Sequence, residues 1–195
     1  MLDYEKKYVG KIVAGIDEAG RGPLAGPVVC ACVIMPMSEV DIIDGIDDSK
    51  KLSEKKREEL FEKITKKALS YSIVEIDEKT IDKINILNAT KLGMKKALES
   101  LKIKPEIVLI DAVKIESNIL QENIIKGDAL SYNIAAASIL AKVYRDRLMK
   151  KYDEQFPIYN FAKHKGYGTK EHIQKLKEFG PCPIHRSTFI KHFCL

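Results

Sequence analysis

A short apolar run over residues 12–16 ends in two adjacent acids, Asp17 and Glu18, and a glycine-rich segment begins immediately after them. A strand-like run of this kind places two carboxylates at the rim of a sheet, where a rigid backbone holds them against a shared ligand. The glycines allow the main chain to approach that ligand closely. An ordinary strand-to-turn exit is the alternative, because acids and glycines are also common there.

Length and composition indicate a soluble globular protein. The 195 residues predict a single domain over 1–195, with about 155–195 as a helical appendage of the same domain. The chain is 45% hydrophobic and 31% charged, and it has no run of 18 apolar residues, which argues against a membrane-spanning helix. Residues 1–7 show no apolar stretch of the signal-peptide type, so we expect a cytoplasmic protein, and a monomer by default.

The four cysteines are too few to staple a chain of this length, and reduced thiols are expected. One zinc-type set needs weighing: Cys182, His185, His192 and Cys194. Their spacing matches no common zinc module closely, which disfavours a structural zinc.

The formal charge of +5 is modest, and its distribution is more informative than its sum. Lysines and arginines cluster over residues 50–57, 142–151 and 163–177. Such runs are either solvated helix faces or places where phosphates are neutralised.

Periodicity and capping signals predict an α/β fold with a mixed central sheet. The predicted strands cover residues 12–16, 28–35, 70–76, 106–111 and 123–128, the first two forming an antiparallel hairpin with a long loop. The predicted helices run from Ser53 as N-cap to about residue 68, over 86–101, from 131 to about 152, and from Thr169 as N-cap to Phe179.

Three predicted strand ends deliver acids: Asp17 with Glu18, Asp111, and Asp128. If these ends converge, four carboxylates repel one another and hard divalent cations are the natural neutraliser, with magnesium or manganese preferred over zinc. Two such ions about 4 Å apart would clamp a phosphodiester. Taken alone, Asp111 or Asp128 is equally compatible with a solubilising strand end.

The chain also resembles a known family. The likeness rests on motifs distributed along the whole chain: Gly15-Ile16-Asp17-Glu18-Ala19-Gly20-Arg21-Gly22-Pro23-Leu24-Ala25-Gly26-Pro27-Val28, Asp48-Ser49-Lys50-Lys51-Leu52, Gly127-Asp128, Ile134-Ala135-Ala136-Ala137-Ser138-Ile139, Ala141-Lys142-Val143 with Arg145-Asp146, His164-Lys165-Gly166-Tyr167-Gly168-Thr169 and His185-Arg186. Together they resemble ribonuclease HII, the type 2 ribonuclease H of bacteria. The resemblance implies a ribonuclease H-like, mixed five-stranded central sheet flanked by helices, with a helical C-terminal part.

The resemblance assigns expected roles by position. The family's four metal-binding, catalytic acids match Asp17, Glu18, Asp111 and Asp128. Its Gly-Arg-Gly motif, which reads the ribose 2′-hydroxyl at an RNA-to-DNA junction, matches Gly20-Arg21-Gly22. A 2′-hydroxyl is both donor and acceptor, so main-chain groups exposed by glycine are suited to recognise it.

Further substrate contacts are expected from three side chains. Tyr167 matches the family tyrosine that packs on the sugar following the ribonucleotide, and Lys50 and Lys142 are candidates for phosphate contacts. His164 is either an aid to metal or product release or a hydrogen-bonded structural residue. The segment from His185 to Phe189 differs slightly from the family's His-Arg-x-Ser-Phe, which leaves the local role of Ser187 and Thr188 open.

The resemblance implies an endonuclease that hydrolyses the phosphodiester 5′ of a ribonucleotide, in RNA/DNA hybrids or as a single ribonucleotide in duplex DNA. Two Mn²⁺ or Mg²⁺ ions and products with 3′-hydroxyl and 5′-phosphate ends are expected, with removal of misincorporated ribonucleotides and primer remnants as the cellular role. Two alternatives remain open. One is a two-metal phosphoryl-transfer enzyme that ignores the 2′-hydroxyl, and the other is a non-catalytic nucleic-acid-binding module.

Overall fold

The structure is a computed structural model and describes residues 2–111 and 113–193. A mixed five-stranded sheet has the order β3-β2-β1-β4-β5. Its strands are β1 (Val13–Ala19), β2 (Val28–Ile34), β3 (Ser70–Ile76), β4 (Ile107–Asp111) and β5 (Leu120–Ile124). The helices are α1 (Glu54–Lys67), α2 (Glu78–Ile84), α3 (Ile86–Glu99), α4 (Gly127–Leu130), α5 (Tyr132–Gln155), α6 (Phe161–His164), α7 (Lys170–Phe179) and α8 (Ser187–Ile190).

The sheet has an antiparallel half and a parallel half. β1, β2 and β3 pair antiparallel in sequence order, which confirms the predicted hairpin. β4 lies beside β1 in parallel, with Ile16 opposite Ile110, and β5 adds in parallel to β4. Because β1 and β4 are parallel, their carboxyl ends lie at the same edge of the sheet.

Helices cover both faces of the sheet. α5 packs across β1 and β2, and its buried alanines at 135–137 join one apolar cluster. Gly15 of β1 makes this approach possible, since a Cβ atom there would lie 2.2 Å from the carbonyl carbon of Asn133. On the opposite face, Met94, Ala97 and Leu98 of α3 pack in a second cluster. The predicted small-residue face of the long helix is therefore confirmed.

Helix caps follow the sequence signals. The Ser53 hydroxyl accepts the backbone N–H of Lys56 at the start of α1, and the Thr169 hydroxyl accepts that of His172 at the start of α7. Such a bond satisfies one of the N–H groups that a helix start leaves unpaired. Gly180 follows α7 at the predicted stop.

Two boundaries near the acids differ from the prediction. β1 continues to Ala19, so Asp17 and Glu18 lie within the strand and not beyond it. β5 ends at Ile124, because the chain turns at Lys126 with a left-handed backbone, φ 59°. Asp128 therefore lies in the first turn of the short helix α4, and the prediction of a strand over 123–128 is wrong.

The segment between β3 and α3 forms helix α2, capped by the Asp77 side chain, where no helix was predicted. The C-terminal part is helical, as expected, through α6, α7 and α8. Within the described residues, no helix is long and apolar enough to cross a membrane.

Candidate active site

The predicted acids come together at one edge of the sheet. Ile16 and Ile110 are paired in register, so the next residues, Asp17 and Asp111, extend side by side from β1 and β4. α4 brings Asp128 to the same edge, and the N–H of Gly127 donates to Asp111 Oδ1 at 3.3 Å. We call Asp17, Glu18, Asp111 and Asp128 the acid cluster.

The charges of the acid cluster are poorly solvated. The Asp17 and Asp128 residues are 6% and 4% exposed. Burial, and then the charge of Glu18, hold the pKa of Asp17 well above its usual value. Burial also raises the pKa of Glu18 against the opposing effect of Arg21, and it raises the pKa of Asp111. The cluster therefore favours a positive partner, because buried like charges destabilise one another.

Lys50 supplies one positive charge. Its Nζ donates to Asp128 Oδ2 at 2.8 Å, and this hydrogen bond raises the pKa of the lysine. The side chain remains 77% exposed. Lys50, the candidate for a phosphate contact, is thus ion-paired with Asp128 of the acid cluster in this structure.

The acid cluster has the donor chemistry of a hard-cation site, although its side chains are not arranged as one. Carboxylate oxygens are the ligands that Mg²⁺ and Mn²⁺ prefer, and their mutual repulsion is relieved by a divalent ion. Among residues 2–111 and 113–193, no group of three His, Cys, Asp or Glu side chains is positioned to hold a metal ion. In its chemistry, the donor set fits the expected ions.

The Gly-Arg-Gly turn lies directly beside the acid cluster. Gly20 has φ +96°, and a Cβ atom there would lie 2.1 Å from Nε of Arg145, so both the conformation and the space require glycine. Arg21 is half-exposed, with Nη1 3.5 Å from Glu18 Oε1. The turn thus brings main chain and one guanidinium next to the carboxylates.

Tyr167 faces the same turn. It is 46% exposed. A Cβ atom added to Gly22 would lie 3.7 Å from Cε1 of its ring, so the tyrosine and this glycine are direct neighbours. Together they border a cavity of about 250 Å³. The cavity is lined by Asp17, Glu18, Ala19, Gly20, Arg21, Gly22, Ser49, Lys50, Asp111, Ser138, Lys142, Arg145 and Tyr167.

Lys142 lines the cavity but has a partner within its own helix. Its Nζ donates to Asp146 Oδ1 at 2.7 Å, one turn further along α5. Other lysines and arginines of the predicted basic clusters pair with acids: Arg147 with Glu58 and Glu62, Lys150 with Glu54, and Lys163 with Glu171. These residues therefore form ion pairs on the protein surface.

Sequence reasoning assigned no role to Ser138, which lies in the floor of the site. Its hydroxyl lies 2.7 Å from that of Ser49, and it also hydrogen-bonds Asp17, which partly opposes the burial that raises the pKa of this acid. The serine thus links an acid of β1 to the loop that carries Lys50. Its position in the alanine-rich motif was the only signal, and that motif was interpreted as packing.

Two buried arginines were also assigned no role. Arg186 donates to the carbonyl oxygens of Gly20, Arg21 and Gly26 at 2.6, 2.9 and 2.9 Å. Arg145 donates to the carbonyls of Pro27, Ala25 and Lys165 at 3.0, 3.1 and 3.0 Å. They fix the backbone of the two loops that border the cavity, residues 20–27 and 164–168, which we call the anchored loops.

The remaining C-terminal candidates have structural partners. His164 Nε2 lies 2.7 Å from the Tyr159 carbonyl oxygen, which favours the structural alternative. Cys182 Sγ and His185 Nδ1 are 3.2 Å apart, whereas Cys194 lies outside the described residues. The role of Ser187 and Thr188 is now clear, because their N–H groups donate to Asp82 at 2.7 and 2.9 Å and begin α8.

Comparisons with known proteins agree with this geometry. The family model for ribonuclease HII matches residues 14–193. The ribonuclease HII of Ruminiclostridium cellulolyticum is 56% identical over 99% of this chain and 76% of its own length. That of Caldicellulosiruptor bescii is 56% identical over 93% of this chain and 88% of its own.

Solved structures show the same fold. The ribonuclease HII of Archaeoglobus fulgidus, solved in complex with PCNA, has a TM-score of 0.79 and 28% identity over 92% of this chain and 94% of its own. A ribonuclease HIII solved with Mn²⁺ has a TM-score of 0.64 at 17% identity, covering 87% of this chain and 63% of its own. Fold, motifs and sequence identity over nearly the whole chain agree, and this chain belongs to the ribonuclease HII family, endonucleases that cleave RNA in RNA/DNA hybrids.

Proposed function

We propose that this enzyme hydrolyses the phosphodiester 5′ of a ribonucleotide, both in RNA/DNA hybrids and at single ribonucleotides in duplex DNA. One observation carries the proposal. The same cavity of about 250 Å³ is lined by Asp17, Glu18 and Asp111 and by residues 20–22 with Tyr167. A group that contacts the 2′-hydroxyl therefore lies next to the groups that act on the neighbouring phosphate.

The anchored loops supply recognition in this proposal. Residues 20–22 present main-chain groups and the Arg21 side chain to the 2′-hydroxyl, which both donates and accepts hydrogen bonds. Tyr167 packs on the sugar that follows the ribonucleotide. Arg145 and Arg186 hold both loops in place before substrate arrives, which reduces the cost of ordering them on binding.

The acid cluster supplies catalysis. Asp17, Glu18, Asp111 and Asp128 would hold two Mn²⁺ or Mg²⁺ ions, which when bound would activate the attacking water and stabilise the leaving oxygen. The carboxylates would hold these ions beside the scissile phosphate, and hydrolysis would leave products that carry 3′-hydroxyl and 5′-phosphate ends. Lys50 and Lys142, both at the cavity, bind flanking phosphates once substrate competes with their present carboxylate partners.

The cellular role we propose is removal of misincorporated ribonucleotides and of primer remnants by a monomeric, cytoplasmic enzyme. Cleavage of the strand 5′ of a ribonucleotide leaves it on a 5′ end, from which repair replaces it. The single-domain organisation over 1–195 is part of the same proposal. It is supported by the bonds of Arg186, near the C-terminus, to carbonyls of residues 20–26.

The test is cleavage of a labelled DNA duplex with one ribonucleotide, compared with the same duplex entirely of DNA, in Mg²⁺, Mn²⁺ or chelator. We expect a metal-dependent cut just 5′ of the ribonucleotide and an intact all-DNA duplex. Equal cutting of both duplexes would support the alternative two-metal enzyme that ignores the 2′-hydroxyl. Binding without cutting, equal with and without metal, would support a non-catalytic module.

Arg21→Ala tests the recognition part separately. We expect a loss of preference for the ribonucleotide junction of about tenfold, the size of one charge-assisted contact, with a smaller loss of cutting on long hybrids. Lys95→Ala, which removes a cation of α3 that pairs with Glu116 and does not line the cavity, serves as the control. Unchanged discrimination in Arg21→Ala would remove this residue from the recognition site.

A further inference from the structure

His172 and His185 form a buried pair beneath Tyr167. They are 0% and 5% exposed, and their Nε2 atoms lie 3.0 Å apart. His172 comes from α7 and His185 from the segment before α8, so the pair joins two separate elements. Two imidazole nitrogens this close require one to donate and the other to accept.

The remaining ring nitrogens fix the direction of that bond. The backbone N–H of Cys182 points at His185 Nδ1 at 2.9 Å, so this nitrogen accepts and His185 carries its proton on Nε2. On the other ring, Nδ1 lies 2.9 Å from the Tyr167 carbonyl oxygen, so it must donate. His172 is therefore protonated on Nδ1 and accepts at Nε2.

These assignments define one continuous series of hydrogen bonds that all point in the same direction. Cys182 N–H donates to His185, His185 donates to His172, and His172 donates to the carbonyl of Tyr167. This series requires both rings to be neutral, because a second proton on His172 would set two N–H groups against each other. Burial lowers the pKa of both rings, that of His185 to about 4, so the neutral forms persist at neutral pH.

Residues 182–186, where this series of hydrogen bonds begins, also hold the anchored loop of residues 20–27. Arg186, next to His185, donates to Gly20 and Arg21, and His185 forms a β-bridge with Ala25. The backbone near Tyr167 and that of residues 20–22 are thus positioned from one short stretch, residues 182–186. The histidine pair thus connects the two loops through hydrogen bonds.

We propose that His172 and His185 are positioning residues for ribonucleotide recognition, a relay of neutral imidazoles that fixes the Tyr167 carbonyl relative to residues 20–22. The inference rests on the proposed recognition roles of Tyr167 and the Gly-Arg-Gly turn. The relay makes no contact with substrate. It sets how accurately the two anchored loops face the ribonucleotide. Its loss therefore weakens the recognition of a single ribonucleotide more than it slows cleavage of a long RNA/DNA hybrid.

Two variants of His172 separate the two halves of its role. In His172→Asn the side-chain amide nitrogen occupies the place of Nδ1 and keeps the donation to Tyr167, whereas the acceptor for His185 is lost. In His172→Gln the amide reaches the place of Nε2, keeping the acceptor and losing the donation. Gln174→Ala, on the exposed face of α7, is the matched control.

The measurement is kcat and KM on a single-ribonucleotide duplex and on a long RNA/DNA hybrid, with the melting temperature of each variant. We expect His172→Gln to raise KM on the single-ribonucleotide duplex by about tenfold, the effect of one lost hydrogen bond, with less than threefold change on the hybrid. His172→Asn should also raise this KM relative to that on the hybrid, because the bond from His185 is lost, whereas Gln174→Ala should keep the wild-type ratio between substrates. Equal loss on both substrates in the His172 variants, or a wild-type ratio between substrates in His172→Asn, would overturn the relay.

A measurement on the unaltered protein does not depend on how the variants fold. The ¹⁵N shifts of the imidazole nitrogens at neutral pH should show His172 protonated on Nδ1 and His185 on Nε2. The opposite tautomers, or a charged ring, would overturn the proposal. A wild-type enzyme that cuts an all-DNA duplex as well as these substrates would refute the proposed function itself, which is a distinct outcome.

Discussion

The acid cluster and the anchored loops border the same cavity but have opposite electrostatic designs. In the acid cluster, buried carboxylates repel one another, and Lys50 pairs with only one of them. In the anchored loops, each guanidinium of Arg145 and Arg186 reaches three carbonyl oxygens within the chain. The difference teaches that the fold alone holds the loops proposed for recognition, whereas the acid cluster proposed for catalysis is expected to need a cation from outside.

The strongest way to break the catalytic end is Asp17→Asn. The change keeps the shape of the side chain but removes a negative ligand at the centre of the acid cluster. We expect cleavage to fall by at least about a thousandfold, because metal assistance contributes several kcal/mol to the transition state. Steady-state rates on the single-ribonucleotide duplex measure the effect, and retention of a tenth of wild-type activity would contradict it.

A substitution that removes an anchor of these loops is expected to lower the stability of the protein. Arg186→Met leaves the carbonyls of Gly20, Arg21 and Gly26 without their donor, and we expect a loss of about 3–5 kcal/mol in the free energy of unfolding. Arg147→Met is the control, since that arginine is 41% exposed and pairs with surface acids, and it should cost at most about 1 kcal/mol. Urea denaturation measures both, and equal losses would contradict the assignment.

Acid pH should act on the two regions with opposite sign. Burial lowers the pKa of His164, His172 and His185, so the unfolded chain binds protons that the folded chain does not. Their contribution to stability is therefore lost as pH falls from about 6.5 towards about 4. Burial raises the pKa of Asp17, Glu18 and Asp111, so protonation of these three acids as the pH falls stabilises the folded protein.

The histidine part is isolated by comparing wild type with His185→Asn. We expect wild type to lose about 1–3 kcal/mol more than this variant between pH 7 and pH 4.5. Urea denaturation at each pH gives the difference. A gap between the two proteins that is constant with pH would show that His185 does not titrate below its ordinary pKa.

The smallest effect is expected at a surface pair. Lys163 Nζ lies 2.8 Å from Glu171 Oε2 near the anchored loops, but its side chain is 69% exposed. Lys163→Ala should cost about 0.2–1 kcal/mol and the cost should shrink in high salt. A salt-independent loss above 2 kcal/mol would mean that this pair belongs with the buried anchors.

The sequence predicted most elements because their signals are local. Ser53 and Thr169 cap the predicted helices, and the strand over 70–76 is found as expected. The place of Asp128 was predicted wrongly, since a left-handed residue at Lys126, which turns the chain into α4, has no distinctive sequence signal. Local patterns do not reveal such a turn.

The site was predicted as a set of residues, but the contacts that hold it were not. Strand periodicity pointed to the acids, whereas the expected roles of the Gly-Arg-Gly turn and Tyr167 came from the resemblance to ribonuclease HII. Arg145, Arg186 and the histidine pair act across separations of up to 166 residues, which no local pattern shows. Nor does the sequence show that Lys50 contacts Asp128, because that ion pair follows from the packing of two loops.

The most direct test of the contrast between the two regions is the melting temperature of wild type and Asp17→Asn, each in chelator and in Mn²⁺. In chelator the variant should melt higher, by about 2–4 °C for each 1 kcal/mol of relieved repulsion. Added Mn²⁺ should bind the wild type and raise its melting temperature, and it should raise the melting temperature of the variant much less. Equal melting temperatures in chelator with equal shifts in Mn²⁺ would contradict the account, because the acid cluster would then be neither strained alone nor stabilised by a cation.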